Sequence, residues 1–200
     1  MEKNIPEICA RDRLISAARE MFAYKGFHAA PMAELAIKAQ VSVGQMYRLF
    51  ENKDDIIAAI VREETAMQHI ELTVICDRLQ SGQIDLQQAF EEFVRNAISR
   101  GAAGLRYEIL AEAHRNVRVA NKLAALFGQI RDVVGRLVRA AHPELSDEHI
   151  AACEEVLLAF RLGIGHRAFS NPALGTDETI TQTALMLRNA VAASAGMRRE

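Results

Sequence analysis

Between Ser42 and Lys53, the segment SVGQMYRLFENK gathers side chains whose chemistry suits a nucleic acid. A Gln45 amide can pair with both polar groups on the edge of adenine, an Arg48 guanidinium with O6 and N7 of guanine, and Val43 can touch a thymine methyl. Ser42, Tyr47 and Lys53 offer hydroxyl and ammonium groups suited to phosphate oxygens, and a helix N-terminus beside them adds partial positive charge. No comparable set suits a reaction. The chain has no GxSxG nucleophile motif, no phosphate loop and no GxGxxG after a strand pattern. His69, His114 and His166 stand apart, without HExxH or a Cys/His cluster, so neither a metal nor another cofactor is expected. A binding protein rather than an enzyme is expected.

Those side chains act together only if a short helix presents them. Pro31 to Phe50, PMAELAIKAQVSVGQMYRLF, reads as two short helices joined by a tight turn. Pro31 opens the first, where its missing N–H costs nothing, and Ser42 caps the second. Ala36 leaves room for a close crossing, Val41 and Met46 plug the space between the helices, and Phe50 continues the buried stripe four residues on. A helix-turn-helix that lays its second helix in the DNA major groove has this geometry.

The rest of the chain also reads as helix. Ala, Leu, Glu and Arg dominate, prolines number four, and strand-like alternation is absent. A helix over about 11–24, with Leu14, Ile15, Ala18, Met21 and Phe22 inward, ends at Gly26. A long helix over about 53–79, capped by Asn52, carries the stripe Ile56, Ile57, Ile60, Met67, Ile70, Val74 and Ile75. Further helices are expected over about 85–100, 105–115 and 117–141, then from a Ser146 cap to 169 and from a Thr176 cap to 195, with the terminal MRRE fraying. The sequence thus implies an all-α fold, a three-helix head (1–53) on a six-helix body (54–200), with no flexible linker between them.

Charge follows the same division. Residues 1–53 carry a net +2 and residues 54–200 a net −4, as expected of a small DNA-binding head on a separate body. Cys9, Cys76 and Cys153 are far apart and fit free thiols in a reducing compartment. The N-terminal MEKNIPEICARDR lacks the apolar run of a signal peptide, and no stretch approaches the roughly 20 apolar residues of a membrane span. A soluble, cytoplasmic protein without a membrane partner is expected.

From Arg13 to Val61 the sequence resembles the N-terminal domain of TetR-family regulators. The likeness rests on the AAxxxF run leading to Gly26-Phe27, on Ala36, Val41-Ser42, Gly44, Met46-Tyr47 and Phe50, and on Asn52-Lys53 opening the fourth helix. It implies a homodimer whose recognition helices read successive turns of a palindromic double-stranded DNA operator, about 34–36 Å apart. Carried across by position, Gln45 and Arg48 face bases beside Val43, while Ser42, Tyr47 and Lys53 hold phosphates, together with the start of helix one near Arg11 and Arg13. Four departures fall on or near the DNA side. Ala30-Pro31 replaces a frequent Thr-Ser, Gln40 a turn glycine, Val43 a basic residue and Leu49 a frequent His.

The body invites a small-molecule effector. Met67, Phe90, Phe93, Tyr107, Phe127 and Phe160 supply adaptable apolar wall, and Glu108 and Glu112, one turn apart, could meet a cationic group. In the resembled family the last two helices form a four-helix interface with their twin. Here that implies Val156, Gly163, Ile164, Ala184, Leu187 and Val191, with small residues permitting close contact. The function implied is a sequence-specific transcriptional regulator, a repressor released from its operator by an effector. An effector-independent DNA-binding factor is the alternative.

Overall fold

Strong helix formers separated by well-placed stops give nine α-helices among the described residues, which are 9–99, 103–165 and 167–196 of this computed structural model. In chain order they are α1 (Ala10–Lys25), α2 (Met32–Lys38), α3 (Val43–Leu49), α4 (Lys53–Gln80), α5 (Leu86–Ser99), α6 (Ala103–Arg115), α7 (Val117–Ala141), α8 (Asp147–Ile164) and α9 (Thr176–Gly196). A short 3-10 turn spans Arg167–Ser170. The all-α expectation holds, and α7 has the expected bounds. His166, the 100–101 end expected of the fifth helix and the terminal MRRE lie outside the described residues.

Two helix ends differ from expectation for local reasons. α8 stops at Ile164 rather than 169, because Gly163 and Gly165 flank that residue and glycine costs a helix interior roughly 1 kcal/mol. Thr176 is the first residue of α9 rather than its cap. The cap position falls to Gly175, whose carbonyl accepts the Thr179 N–H at 3.0 Å and the Thr179 hydroxyl at 2.8 Å. Pro31 likewise precedes α2, with extended backbone (φ −66°, ψ 142°), and its carbonyl accepts the Leu35 N–H.

The buried stripe of α4 also differs. Ile56, Ile57, Ile60 and Ile75 are buried as expected, but Met67, Ile70 and Val74 face outward. Thr65, Leu72 and Cys76 hold the buried positions instead. A polar Thr65 on the inner face shifts the line of apolar residues that periodicity alone would draw.

The chain divides into two compact units. The first takes in the described parts of Met1–Glu64 and Ala102–Leu126, so α6 and the start of α7 belong with the N-terminal helices. Its core includes Leu14, Ala18 and Phe22 of α1, Leu35 and Ala36 of α2, Met46 of α3, Ile57 and Ile60 of α4, and Ile109 of α6. This unit is larger than the 1–53 segment expected from sequence, because apolar residues of α6 and α7 complete its core. The second unit, from the described parts of Thr65–Gly101 and Phe127–Glu200, centres on Phe90, Phe93, Val134, Leu157 and Ala184, with α5 packed on α8 and α9. Cys76 and Cys153 are buried free thiols and Cys9 is exposed. Burial pushes the Cys76 thiol up to about 11. Among the described residues no helix is long and apolar enough to cross a membrane.

Candidate nucleic-acid interface

The turn between α2 and α3 is built by backbone hydrogen bonds. The Val41 N–H reaches back to the Ala36 carbonyl at 3.0 Å and the Gln40 N–H to the Ile37 carbonyl at 3.0 Å. That double closure is a Schellman motif, and it requires the residue after the cap to turn left-handed. Gln40 does so, at φ 54°, in the place where glycine is the residue of least strain. Arg13 of α1 braces the turn from outside, its Nε donating to the Ala39 carbonyl at 3.0 Å and Nη2 to the Gln40 carbonyl at 3.4 Å.

α3 then starts with a complete capping box. Ser42 Oγ accepts the Gln45 N–H at 3.1 Å, and Gln45 Oε1 accepts the Ser42 N–H at 3.3 Å. The helix is held by one wholly buried side chain, Met46, and by Phe50 just past its end. The other six of its seven residues, Val43, Gly44, Gln45, Tyr47, Arg48 and Leu49, are exposed. Such a helix is an object presented outward, and its outer face matches the residues expected to meet bases and phosphates.

The structure alters several individual expectations. Gln45 spends its amide oxygen on the capping box, so pairing with both edges of adenine would require that bond to open; its amide NH2 has no such commitment. Lys53 is turned inward. Its Nζ donates to the carbonyls of Phe27 (2.9 Å) and His28 (3.1 Å) and sits 5.2 Å from the Phe27 ring centroid. Partial burial pulls this ammonium below its ordinary value, and the nearby Glu112 carboxylate pulls it back up. Arg11 pairs with Glu63 at 3.2 Å and lies over the Phe50 ring, so neither it nor Arg13 simply projects from the start of α1. Arg48 is exposed and forms no ion pair among the described residues.

The residues expected to line one effector pocket fall in both units. Phe90 and Phe93 are fully buried in the second, where the Phe93 ring stacks on Phe160 with centroids 6.5 Å apart. Met67 and Phe127 are exposed there. Tyr107, Glu108 and Glu112 lie on α6 in the first unit. Glu108 accepts the Phe27 N–H at 3.2 Å, and Glu112 lies 2.9 Å from the His28 imidazole. Sequence reasoning missed Arg161, only 7% exposed, which donates to Gln68 and Asn96 and lies 5.2 Å from the Phe93 ring centroid. Its signal was the α8 spacing Ile150, Cys153, Leu157, Arg161, which puts an arginine on the buried face. A cleft of about 510 Å³ lies between α1 and α2, with Met21, Tyr24 and Ile37 in its lining and none of the expected pocket residues.

Of the residues expected at a dimer interface, Ala184, Leu187 and Val191 are core residues of the second unit. They take the face of α9 that packs on its own chain, so the sequence stripe marked the intramolecular side. Val156 and Gly163 are exposed, and Ile164 is half-buried.

Comparison with known proteins agrees with this arrangement. Residues 14–60 match the sequence profile of the bacterial regulatory proteins, tetR family. The chain is 30% identical over 164 residues to the HTH-type transcriptional regulator UidR of Escherichia coli K12, covering 77% of this chain and 79% of that protein. Its fold is similar to Salmonella enterica GusR, with a TM-score of 0.70 at 21% identity over 98% of this chain and all of that one. It is also similar to the transcriptional regulator FadR of Bacillus subtilis in complex with stearoyl-CoA, with a TM-score of 0.69 at 12% identity over 91% and 97% of the two chains. An outward-facing recognition helix on a buried Met46, a profile match across that head and a relative aligned through most of the body lead to one assignment: the chain belongs to the TetR family of DNA-binding transcriptional regulators.

Proposed function

We propose that this protein is a homodimeric, cytoplasmic repressor that binds a palindromic operator and is released from it by a small-molecule effector. The observation that carries the DNA half is α3, which exposes six of seven residues from a single buried anchor. Gln45, Arg48 and Val43 are assigned to bases, and Ser42 and Tyr47 to phosphates. Lys53 keeps at most one N–H for DNA after its two carbonyl bonds.

The dimer half is supported by an exposed stripe on α8, where Ala152, Val156, Ala159 and Gly163 follow at helical spacing opposite the buried face. Leu185 and Met186 are exposed on α9. Small side chains of this kind let helices of two subunits approach closely. The effector half is supported by the mixed aromatic and polar group Phe93, Phe160, Arg161, Gln68 and Asn96 in the second unit. The similar FadR holds stearoyl-CoA, which shows that a fold of this kind can take a small ligand. Coupling is reciprocal, so operator DNA must weaken effector binding by the factor with which the effector weakens DNA binding.

The test is duplex binding by the full chain, using sequences selected from a random pool. Wild type should bind with an affinity that falls steeply with salt. Tyr47→Ala should weaken all duplexes alike, whereas Gln45→Ala should relax preference at one position by about 1–3 kcal/mol. Equal losses on every duplex for both variants would remove the assignment of these residues. The alternative, an effector-independent factor, requires DNA binding that no ligand occupying the Phe93–Arg161 group alters.

A further inference from the structure

The cleft of about 510 Å³ between α1 and α2 lies within the first unit, and its lining comes from those two helices. Its apolar side chains are Met21, which is buried, and Tyr24 and Ile37, which are 90% and 77% exposed. Single exposed apolar residues are ordinary, but two beside one cleft with a charged rim have the pattern of a contact surface. Four charges form that rim. Lys25 pairs with Glu34 at 2.6 Å, and Lys38 with Glu20 at 2.7 Å. Late α1 thus meets early α2 and earlier α1 meets late α2, so the helices run antiparallel across the cleft. Acid and base therefore alternate around its corners in the order Glu20, Lys25, Glu34, Lys38. That alternation decides what fits. A partner of one charge sign, such as a nucleic-acid backbone, meets like charge at two corners. A second copy turned face to face by a two-fold axis in the plane of the cleft meets opposite charge at all four. Rotation about the long axis sets Glu20 against Lys38 and Lys25 against Glu34 of the second copy. Rotation about the short axis sets Glu20 against Lys25 and Glu34 against Lys38.

We propose that this cleft docks against the same cleft of a second copy of the chain, joining two molecules bound side by side on DNA. The contact is separate from the subunit pairing assigned to α8, and it rests on the DNA-binding reading above. Since α1 and α2 supply the lining, α3 stays available to a duplex while the cleft is occupied. The exposed Tyr24 ring and Ile37 of each copy supply the attraction by entering the other's cleft. The rim charges, already paired and largely solvated, orient the two copies more than they hold them. Seven residues a side fall well short of the roughly 20–30 of a stable interface, so free molecules stay apart at ordinary concentration. Neighbouring sites on one duplex raise the local concentration to about the millimolar range, where so small a contact is made. Adjacent sites then fill cooperatively, and the gain recurs with the helical turn of about 10.5 base pairs that returns both heads to one side of the DNA.

The experiment uses the full chain and duplexes carrying two copies of a site selected from a random pool, their spacing increased one base pair at a time over a full turn. Wild type should fill the second site about tenfold more tightly than the first at one helical phase, and lose that gain half a turn away. Tyr24→Ala combined with Ile37→Gln should fill the two sites independently at every spacing. Its affinity for a single site should stay within about twofold of wild type, since both residues lie off α3. Lys25→Glu sets acid against acid and should also lose the gain. Reversing all four corners (Glu20→Lys, Lys25→Glu, Glu34→Lys, Lys38→Glu) restores the alternation and should restore it. Without DNA, amide resonances around the cleft should shift with concentration in the millimolar range for wild type and not for the Tyr24/Ile37 variant. Independent filling by wild type at every spacing would overturn the second copy as occupant and leave the cleft to a different protein. Undiminished cooperativity in the Tyr24/Ile37 variant would equally overturn it. Wild-type protein that binds no duplex would overturn the DNA reading, and the concentration-dependent shifts then decide the docking by themselves.

Discussion

Gln40 is the residue at which backbone geometry and sequence disagree most plainly. A left-handed conformation costs a non-glycine residue roughly 1–2 kcal/mol, yet the Schellman closure of α2 imposes it. Glycine would remove that strain and lose some of the gain to its greater freedom when unfolded. Gln40→Gly is therefore expected to raise stability by about 0.5–1 kcal/mol in urea titration, with the α2–α3 angle unchanged because only backbone atoms of residue 40 take part in the turn. A loss of stability would mean that the Gln40 side chain contributes contacts not apparent from its exposed position. The departure from glycine at Gln40 was legible in sequence, and the left-handed φ that makes it costly was decided by the fold.

At the scale of the element, α3 combines weak anchoring with strong capping. Seven residues are too few for a helix to persist alone, so Met46 and the Ser42–Gln45 box must supply what length does not. Ser42→Ala should cost about 1 kcal/mol of stability, measured by thermal unfolding. Ser42→Asp separates two roles of the same side chain. A carboxylate caps a helix as well as a hydroxyl, so stability should stay within about 0.5 kcal/mol of wild type. The added negative charge at a proposed phosphate position should nonetheless lower DNA affinity by about tenfold or more. Retained affinity would move the phosphate contact away from Ser42. The element also explains why the inward turn of Lys53 was not legible in sequence: its neighbours Asn52 and Asp54 are polar, and the carbonyls that capture it belong to a loop about 25 residues earlier.

The two-unit organisation of the chain is relevant at the scale of the whole molecule. α4 and α7 each contribute to both units, so the packing boundary passes through helices rather than between them. The stripe Ala152, Val156, Ala159, Gly163 is an exposed face of α8, and the proposed homodimer would cover it. Ala159→Glu should leave each subunit folded, since the site faces outward, and should convert dimer to monomer in sedimentation equilibrium through burial of unpaired charge. DNA affinity should fall with it, because one head then binds one half-site. A dimer that persists in this variant would place the interface elsewhere.

Sequence alone determined the helical fold, the helix-turn-helix and its anchors, three buried and Val41 half-buried, because spacing and capping are local rules that Ala36, Val41, Ser42, Met46 and Phe50 satisfy within twenty residues. It also marked the outer face of α3, since a short helix with one inner position has little choice of face. Tertiary structure decided what the periodic stripes meant. Met67, Ile70 and Val74 turned outward because Thr65 entered the buried line, and Ala184, Leu187 and Val191 turned toward their own chain rather than a twin. It decided too that Glu108, Glu112 and Lys53 serve the loop at Phe27 and His28. A charged side chain follows whichever unmet donor or acceptor folding brings within about 3 Å, and that partner lies far off in sequence.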